Sequence, residues 1–311
     1  KTPIGVWTGS TNISDGGIFG HSNVGHVVWN ATVARKYLDY WQRLADRTNQ
    51  RGTLCVGIDP HPGLLKAWGL DVNAAGLETF ARRVVEVLGE RVAVFKPQSA
   101  FFEAHGSAGV AVLERVLADI AGAGALSILD VKRGDIGSTM GAYTDAYLVD
   151  GAPLAADAIT VSPYLGFGSL QPAFDAAERS GRGVYVLART SNPEGHLVQL
   201  ALGEDHEGSV AQEIIDAARR ANSASGQGAI GLVVGGTHDD LGCDVSGFNG
   251  SILVPGIGFQ GGRIDDLPAL FGDAIDVVLP AVSRDVIAAG PDAAALNGRV
   301  DRLLGVADQT H

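Results

Sequence analysis

From residue 53 onward, short runs of consecutive apolar residues alternate with longer stretches whose apolar residues recur every three or four positions. The short runs are TLCVGID (53–59), VAVFKPQ (92–98), ALSILDV (125–131), DAITVSPY (157–164), GVYVLAR (183–189), AIGLVVG (229–235), SILVPGI (251–257) and IDVVLPA (275–281). Near-continuous apolar runs of this length suit strands buried on both faces of a parallel sheet. The longer stretches, such as AAGLETFARRVVEVLG, GVAVLERVLADIAGAG and SVAQEIIDAARRANSA, carry the spacing of helices with one apolar face. Eight strands alternating with helices over a span of this size predict an α/β fold, a (β/α)8 TIM barrel of about 250 residues. The rival is a doubly wound open sheet. Its Gly-x-Gly-x-x-Gly turn is missing after the first strand, where the chain reads GIDPHPGLL.

The barrel reading gives a place to charges that otherwise look misplaced. In such barrels the reacting groups stand at the carboxyl ends of the strands. Asp59 ends the first strand, Lys96 the second, and Asp130 and Lys132 the third, within LDVKRGDIGST (129–139). Asp130 and Lys132 are two apart and share one face of their strand. Because the three strands are neighbours, these four side chains are expected to converge on one side of the barrel mouth, with Asp135 in the following loop. Charges converging at that depth are costly unless they pair with each other or with a ligand. A structural salt bridge at the rim is the plainer alternative for Asp130 and Lys132, and a turn before Pro60 is the plainer one for Asp59.

Composition narrows the function. The chain has 311 residues, 46% of them apolar and 19% charged, with a net charge of −12. That balance argues against a general nucleic-acid or anionic-membrane binder, while leaving room for a small anionic ligand held by local positive charge. No run approaches the length of a membrane span. The two cysteines, Cys55 and Cys243, have neither metal-ligand nor disulfide-framework spacing. With no secretory signal visible, a reducing cytoplasm is the expected location. His61, His105 and His238 have no partner at a telling spacing and are expected to be loop residues.

Six segments occur in order: GIDPHP, FKPQSAFFEAHG, DVKRGDIGSTMGAY, VSPYLGFGS, TSNPEG and PGIGFQGG. Together they resemble the orotidine 5′-phosphate decarboxylase family, in the longer bacterial branch with the KRGDIG form, over residues 53–304. The resemblance implies conversion of orotidine 5′-phosphate to UMP and carbon dioxide in pyrimidine biosynthesis, with no metal and no organic cofactor. It implies that Lys132 protonates C6 of the pyrimidine, that Asp130 sits beside the substrate carboxylate, and that Lys96 holds Asp130 and the ribose side. It also implies a homodimer with shared sites, Asp135 and Thr139 reaching into the partner's site to complete an alternating Lys–Asp–Lys–Asp array. Asp59 is expected on a ribose hydroxyl and Ser162 on the pyrimidine edge.

The chemistry suits these residue types. Loss of carbon dioxide leaves electron density at C6 in the ring plane, and a fixed ammonium stabilises that charge and then delivers a proton. Barrel phosphate sites commonly form after strands 7 and 8. There, the glycines of PGIGFQGG, including Gly261 and Gly262, would let backbone N–H groups approach an anion, with Gln260 reaching over it. Arg284, in AVSRDV after strand 8, offers a bidentate fork. Alternatives of other kinds are a metal-dependent decarboxylase or aldolase of a phosphorylated sugar on the same barrel, and a non-catalytic phosphoribosyl-ligand binder or scaffold.

Residues 1–40 stand apart. GSTN and its surroundings resemble a fragment of a phospholipase D-like domain without the preceding His-x-Lys segment, and His21 and His26 do not restore it. The expectation is a non-catalytic N-terminal extension over 1–40, with VGHVVWN supplying a short strand, and a barrel over 41–311 opened by a helix in ARKYLDYWQRLADRTNQRG.

Overall fold

Alternation of side chains along eight short strands organises the molecule. A computed structural model describes residues 6–9, 25–28, 40–202, 208–225 and 228–307. Strands β1 (Val6–Gly9) and β2 (Gly25–Val28) form an antiparallel pair. Strands β3 (Cys55–Ile58), β4 (Val94–Pro97), β5 (Leu126–Arg133), β6 (Ala158–Val161), β7 (Gly183–Arg189), β8 (Ile230–Val234), β9 (Ile252–Val254) and β10 (Val278–Val282) follow in order around a closed parallel barrel, β10 pairing with β3. The fold class matches the expectation. The last strand is displaced: Gly272–Val277 forms a 3-10 turn, and pairing begins at Val278. Apolar Ile275 and Val277 pack from that turn, so their hydrophobicity alone does not distinguish it from strand.

Because side chains alternate across a strand, each strand serves two cores. Val56, Ile58, Phe95, Leu129, Ile159, Val161, Val184 and Val186 point outward into the layer beneath the helices. Those helices include α2 (Ala74–Leu88), α3 (Gly106–Gly122), α4 (Gly137–Tyr147), α5 (Gln171–Ser180) and α6 (Val210–Ser225). In α2 the N-cap side chain of Asn73 accepts the Gly76 N–H at 2.9 Å, and Leu77, Phe80, Ala81, Val84, Val85 and Leu88 form the buried stripe.

The opposite set, Cys55, Val94, Leu126, Ile128, Ala158, Tyr185, Val233, Leu253 and Leu279, fills the barrel's interior with Tyr40 and Leu44. Both of these come from α1 (Tyr40–Arg51), the helix expected ahead of the first barrel strand. Tyr40 lies on the extension side of the expected boundary yet is fully buried, its hydroxyl 3.1 Å from that of Tyr185, which donates onward to Ser251 Oγ at 3.1 Å. A Cβ at Gly183 would stand 2.5 Å from the Tyr40 ring, so only glycine admits it there. Arg51, at the other end of α1, donates to the carbonyls of Gly89, Val92 and Ala123, tying the turns that lead into β4 and β5. No described helix is long and apolar enough to cross a membrane.

Candidate active site

Along β5 the inward positions change character. Leu126 and Ile128 belong to the apolar interior, while Asp130 and Lys132, next on the same face, line a cavity of about 530 Å³ at the carboxyl end of the barrel. Lys96 on β4 and Asp59 just beyond β3 line it too, so those four predicted residues are brought together. Gly57 leaves the space beside them: a Cβ there would lie 2.7 Å from Ser283 Cβ and 3.4 Å from Asp59 Oδ1.

Asp130 is the hub. Lys96 Nζ donates to Oδ2 at 2.9 Å, Lys132 Nζ to Oδ1 at 2.5 Å, and Thr160 Oγ1 to Oδ1 at 2.8 Å. Gln98 adds weaker contacts, to Lys96 Nζ at 3.5 Å and to the Asp130 carbonyl at 3.4 Å. Burial pushes the Asp130 carboxyl towards its neutral form, but the ammonium groups of Lys96 and Lys132 outweigh it and hold its pKa well below the usual carboxylate range. Burial likewise works against charge on Lys96, and the carboxylates of Asp130 and Asp59 outweigh it, raising the lysine's pKa. The side chain of Lys132 is 45% exposed against 7% for Asp130, so one ammonium of this cluster opens to the cavity.

The backbone at Lys132 is unusual. Its φ is +44°, in the left-handed region, the one such non-glycine among the described residues, and the β5–β6 register slips between Leu129 and Arg133. A bulge of this kind re-aims a side chain at the end of a strand.

The other predicted residues divide. Gln260 and Arg284 line the cavity, with Phe259, Ser191 and Ser283. Ser191 Oγ donates to Gln260 Oε1 at 3.0 Å, which leaves the Gln260 amide N–H groups for another acceptor. The Arg284 guanidinium lies 3.7 Å from the centroid of the Phe259 ring and forms no salt bridge among the described residues, its neighbour Asp285 pairing with Arg299 instead. Gly261 and Gly262 do not line the cavity. Their N–H groups donate within the loop, to the carbonyls of Gly258 and Gly256, and a Cβ at Gly262 would meet the Gly236 carbonyl at 2.4 Å. These glycines build the turn that carries Gln260, rather than an amide cradle.

Ser162 also lies outside the lining. The strand ends at Val161, and the Ser162 N–H donates to the Arg133 carbonyl at 2.7 Å across the bulge. Ser191, inside TSNPEG, takes the position facing the cavity. Asp135 and Thr139 do not reach their own chain's cavity: Asp135 caps the Ile136 N–H at 2.8 Å, and Thr139 is exposed on α4. Thr160, Gln98, Ser283 and Phe259 were not singled out from sequence. Thr160 carried a usable signal, a polar residue on the inward face of a core strand, whereas nothing marked Phe259 or Ser283.

Two buried polar atoms in the cavity, Asp59 Oδ1 and Ser283 Oγ, lack a hydrogen-bond partner among the described residues. Among the described residues, no group of three or more His, Cys, Asp or Glu side chains is placed to hold a metal ion.

A closed parallel barrel with a Lys–Asp–Lys array at its carboxyl end, and beside it an arginine without a salt bridge among the described residues, defines an enzyme of the (β/α)8 class, shaped for an anionic substrate. The chain belongs to the orotidine 5′-phosphate decarboxylase / HUMPS family, whose model matches residues 52–298. An orotidine 5′-phosphate decarboxylase of Salinispora arenicola is 56% identical over 263 residues, covering 84% of this chain and 94% of that protein. One from Streptomyces coelicolor is 53% identical over 261 residues, covering 84% and 94%. Among solved structures, the OMP decarboxylase of Leishmania donovani superposes with a TM-score of 0.68 at 29% identity, covering 87% of this chain and all of that one. A Streptomyces avermitilis crystal structure named for the same activity reaches a TM-score of 0.85 at 51% identity, covering 88% and 96%. The phospholipase D-like resemblance of residues 1–40 is not borne out; the family match begins at residue 52.

Proposed function

We propose that this protein decarboxylates orotidine 5′-phosphate to UMP and carbon dioxide in pyrimidine biosynthesis. The observation that carries the reading is the Lys96–Asp130–Lys132 array, with Lys132 opening to the cavity, in a chain more than half identical to decarboxylases of this name.

The chemistry follows from the array. An ammonium held at the cavity edge by a carboxylate that stays ionised stabilises charge developing at C6 and transfers a proton there. Asp130 lies beside the position the departing carboxylate occupies, and Lys96 offsets its charge. The unpartnered Asp59 Oδ1 is the natural acceptor for a ribose hydroxyl. Arg284 and the Gln260 amide supply donors for the phosphate, and Ser191, through Gln260, takes the pyrimidine-edge role expected of Ser162. Binding energy from the phosphate, far from C6, is available to close the site over the ring.

We further propose a cytoplasmic homodimer with shared sites, in which Asp135 and Thr139 serve the partner's cavity. Their position outside their own cavity supports this, as do the exposed apolar side chains of Ile136, Tyr164 and Leu165 on the adjoining loops. The catalytic unit is proposed to be residues 41–311 together with Tyr40, and residues 1–39 a non-catalytic extension. The metal-dependent alternative fits less well, because the central carboxylate is already engaged by two ammonium groups and a hydroxyl.

The test is loss of the orotate-type ultraviolet absorbance in the presence of a chelator. The wild type should turn over, and Lys132→Ala should lose several orders of magnitude in kcat. Near-wild-type turnover by that variant would sink the mechanism, and ligand binding without any wild-type turnover would favour a non-catalytic binder.

A further inference from the structure

Thr160 is fully buried on β6, level with the array, and its single hydroxyl makes two hydrogen bonds. Its oxygen accepts the backbone N–H of Lys132 at 3.0 Å, and its proton goes to Asp130 Oδ1 at 2.8 Å. A carboxylate only accepts, and a backbone amide only donates, so the direction of both bonds is determined. Lys132 Nζ donates to that same Oδ1 at 2.5 Å. The result is a closed ring: Lys132 amide to Thr160 hydroxyl to Asp130 oxygen, and back through the lysine's own ammonium.

The ring encloses the one strained position nearby. Lys132 holds φ at +44° where the β5–β6 ladder slips register. For a residue with a Cβ that conformation is strained and persists only when its surroundings over-determine it. In a slipped ladder the Lys132 N–H loses its regular strand partner, and Thr160 Oγ1 supplies the substitute. A hydroxyl that served only to satisfy itself in the core would have no need to join these two groups.

We infer that Thr160 is a positioning residue for the decarboxylation. It locks the Lys132 backbone to the carboxylate that its ammonium touches, and so sets where the proton donor stands relative to C6. The inference rests on the proposed activity and adds to it a residue that acts through Lys132 and Asp130.

Two readouts test it: steady-state turnover of orotidine 5′-phosphate, and exchange of the C6 hydrogen of UMP for deuterium in D2O. Microscopic reversibility makes the second depend on the same donor without any carbon dioxide leaving. Thr160→Val keeps the shape and removes the hydroxyl, and should lower kcat and the exchange rate together by about ten- to a hundredfold, as expected for lost hydrogen bonds to charged groups. KM and inhibition by UMP should change little. Thr160→Ser retains the hydroxyl and should restore both rates to within a few-fold of wild type. Thr160→Val at wild-type rates would overturn the inference, as would a serine variant as impaired as the valine variant, or a loss confined to KM. A wild type inactive in both assays would remove the proposed activity instead.

Discussion

Asp130 shows how one buried carboxylate can be kept ionised without a solvent shell. Removing such a group from water costs several kcal/mol unless it is fully paired, and here two ammonium groups and a hydroxyl occupy its oxygens. Arg284, also on the cavity lining, is treated oppositely. Among the described residues no carboxylate pairs with it, and its planar face rests on Phe259, leaving the N–H edge available to an incoming dianion. Phe259 is 69% exposed, so the contact should be worth about 0.5–1 kcal/mol, the range for a cation–π pair at an exposed site. Phe259→Ala should therefore lower kcat/KM for the phosphorylated substrate about two- to fivefold. The unphosphorylated nucleoside, which has nothing for Arg284 to hold, should be unaffected; steady-state kinetics on both substrates separates the two. Sequence made Arg284 and Gln260 legible through their position after late strands. The partner of each, Phe259 and Ser191, lies on another strand or loop, and no spacing along the chain brings them together.

At the level of elements, the same alternation that buries β5 also aims it. Its lower inward residues are apolar because they meet the interior, and its upper ones are charged because the cavity begins there. The bulge then breaks the ladder at Lys132. Helix α1 performs the complementary task at the amino ends of the strands, where Tyr40 closes the interior and Arg51 ties two turns. Tyr40→Ala empties a buried aromatic site and should cost about 3–5 kcal/mol of stability. Urea unfolding should show a lower midpoint, while kcat/KM of the folded variant stays at the wild-type value, because the cavity lies at the opposite end of the strands. A helix before the first barrel strand was evident from sequence. That Tyr40 would penetrate the barrel was not, since the glycine that admits its ring, Gly183, lies far along the chain.

For the whole molecule, what matters is that the Lys132 ammonium opens to the cavity on the side away from Asp130. Asp135 follows it by three residues, yet α4 begins at once and carries the chain away from the cavity. If two chains share their sites, mixing Lys132→Ala with Asp135→Ala restores activity neither variant has alone. In a mixed dimer one site is doubly defective and the other intact. Random exchange makes half the dimers mixed, so recovery should approach about a quarter of wild-type turnover. No recovery after verified subunit exchange would show that each chain completes its own site.

By itself the sequence determined the barrel and the depth of its charges, because both follow from local period: runs of strand length, helical spacing between them, and parity along each strand. It located Lys96, Asp130, Lys132 and Asp59 for the same reason. Only the tertiary structure decided which polar groups face one another. It turned Ser162 towards the Arg133 carbonyl and brought Ser191 to Gln260. It spent the N–H groups of Gly261 and Gly262 inside their own loop, and it set the Thr160 hydroxyl between Lys132 and Asp130. Those outcomes depend on register between strands and on where each strand stops, which are properties of paired chains and leave no period in either one.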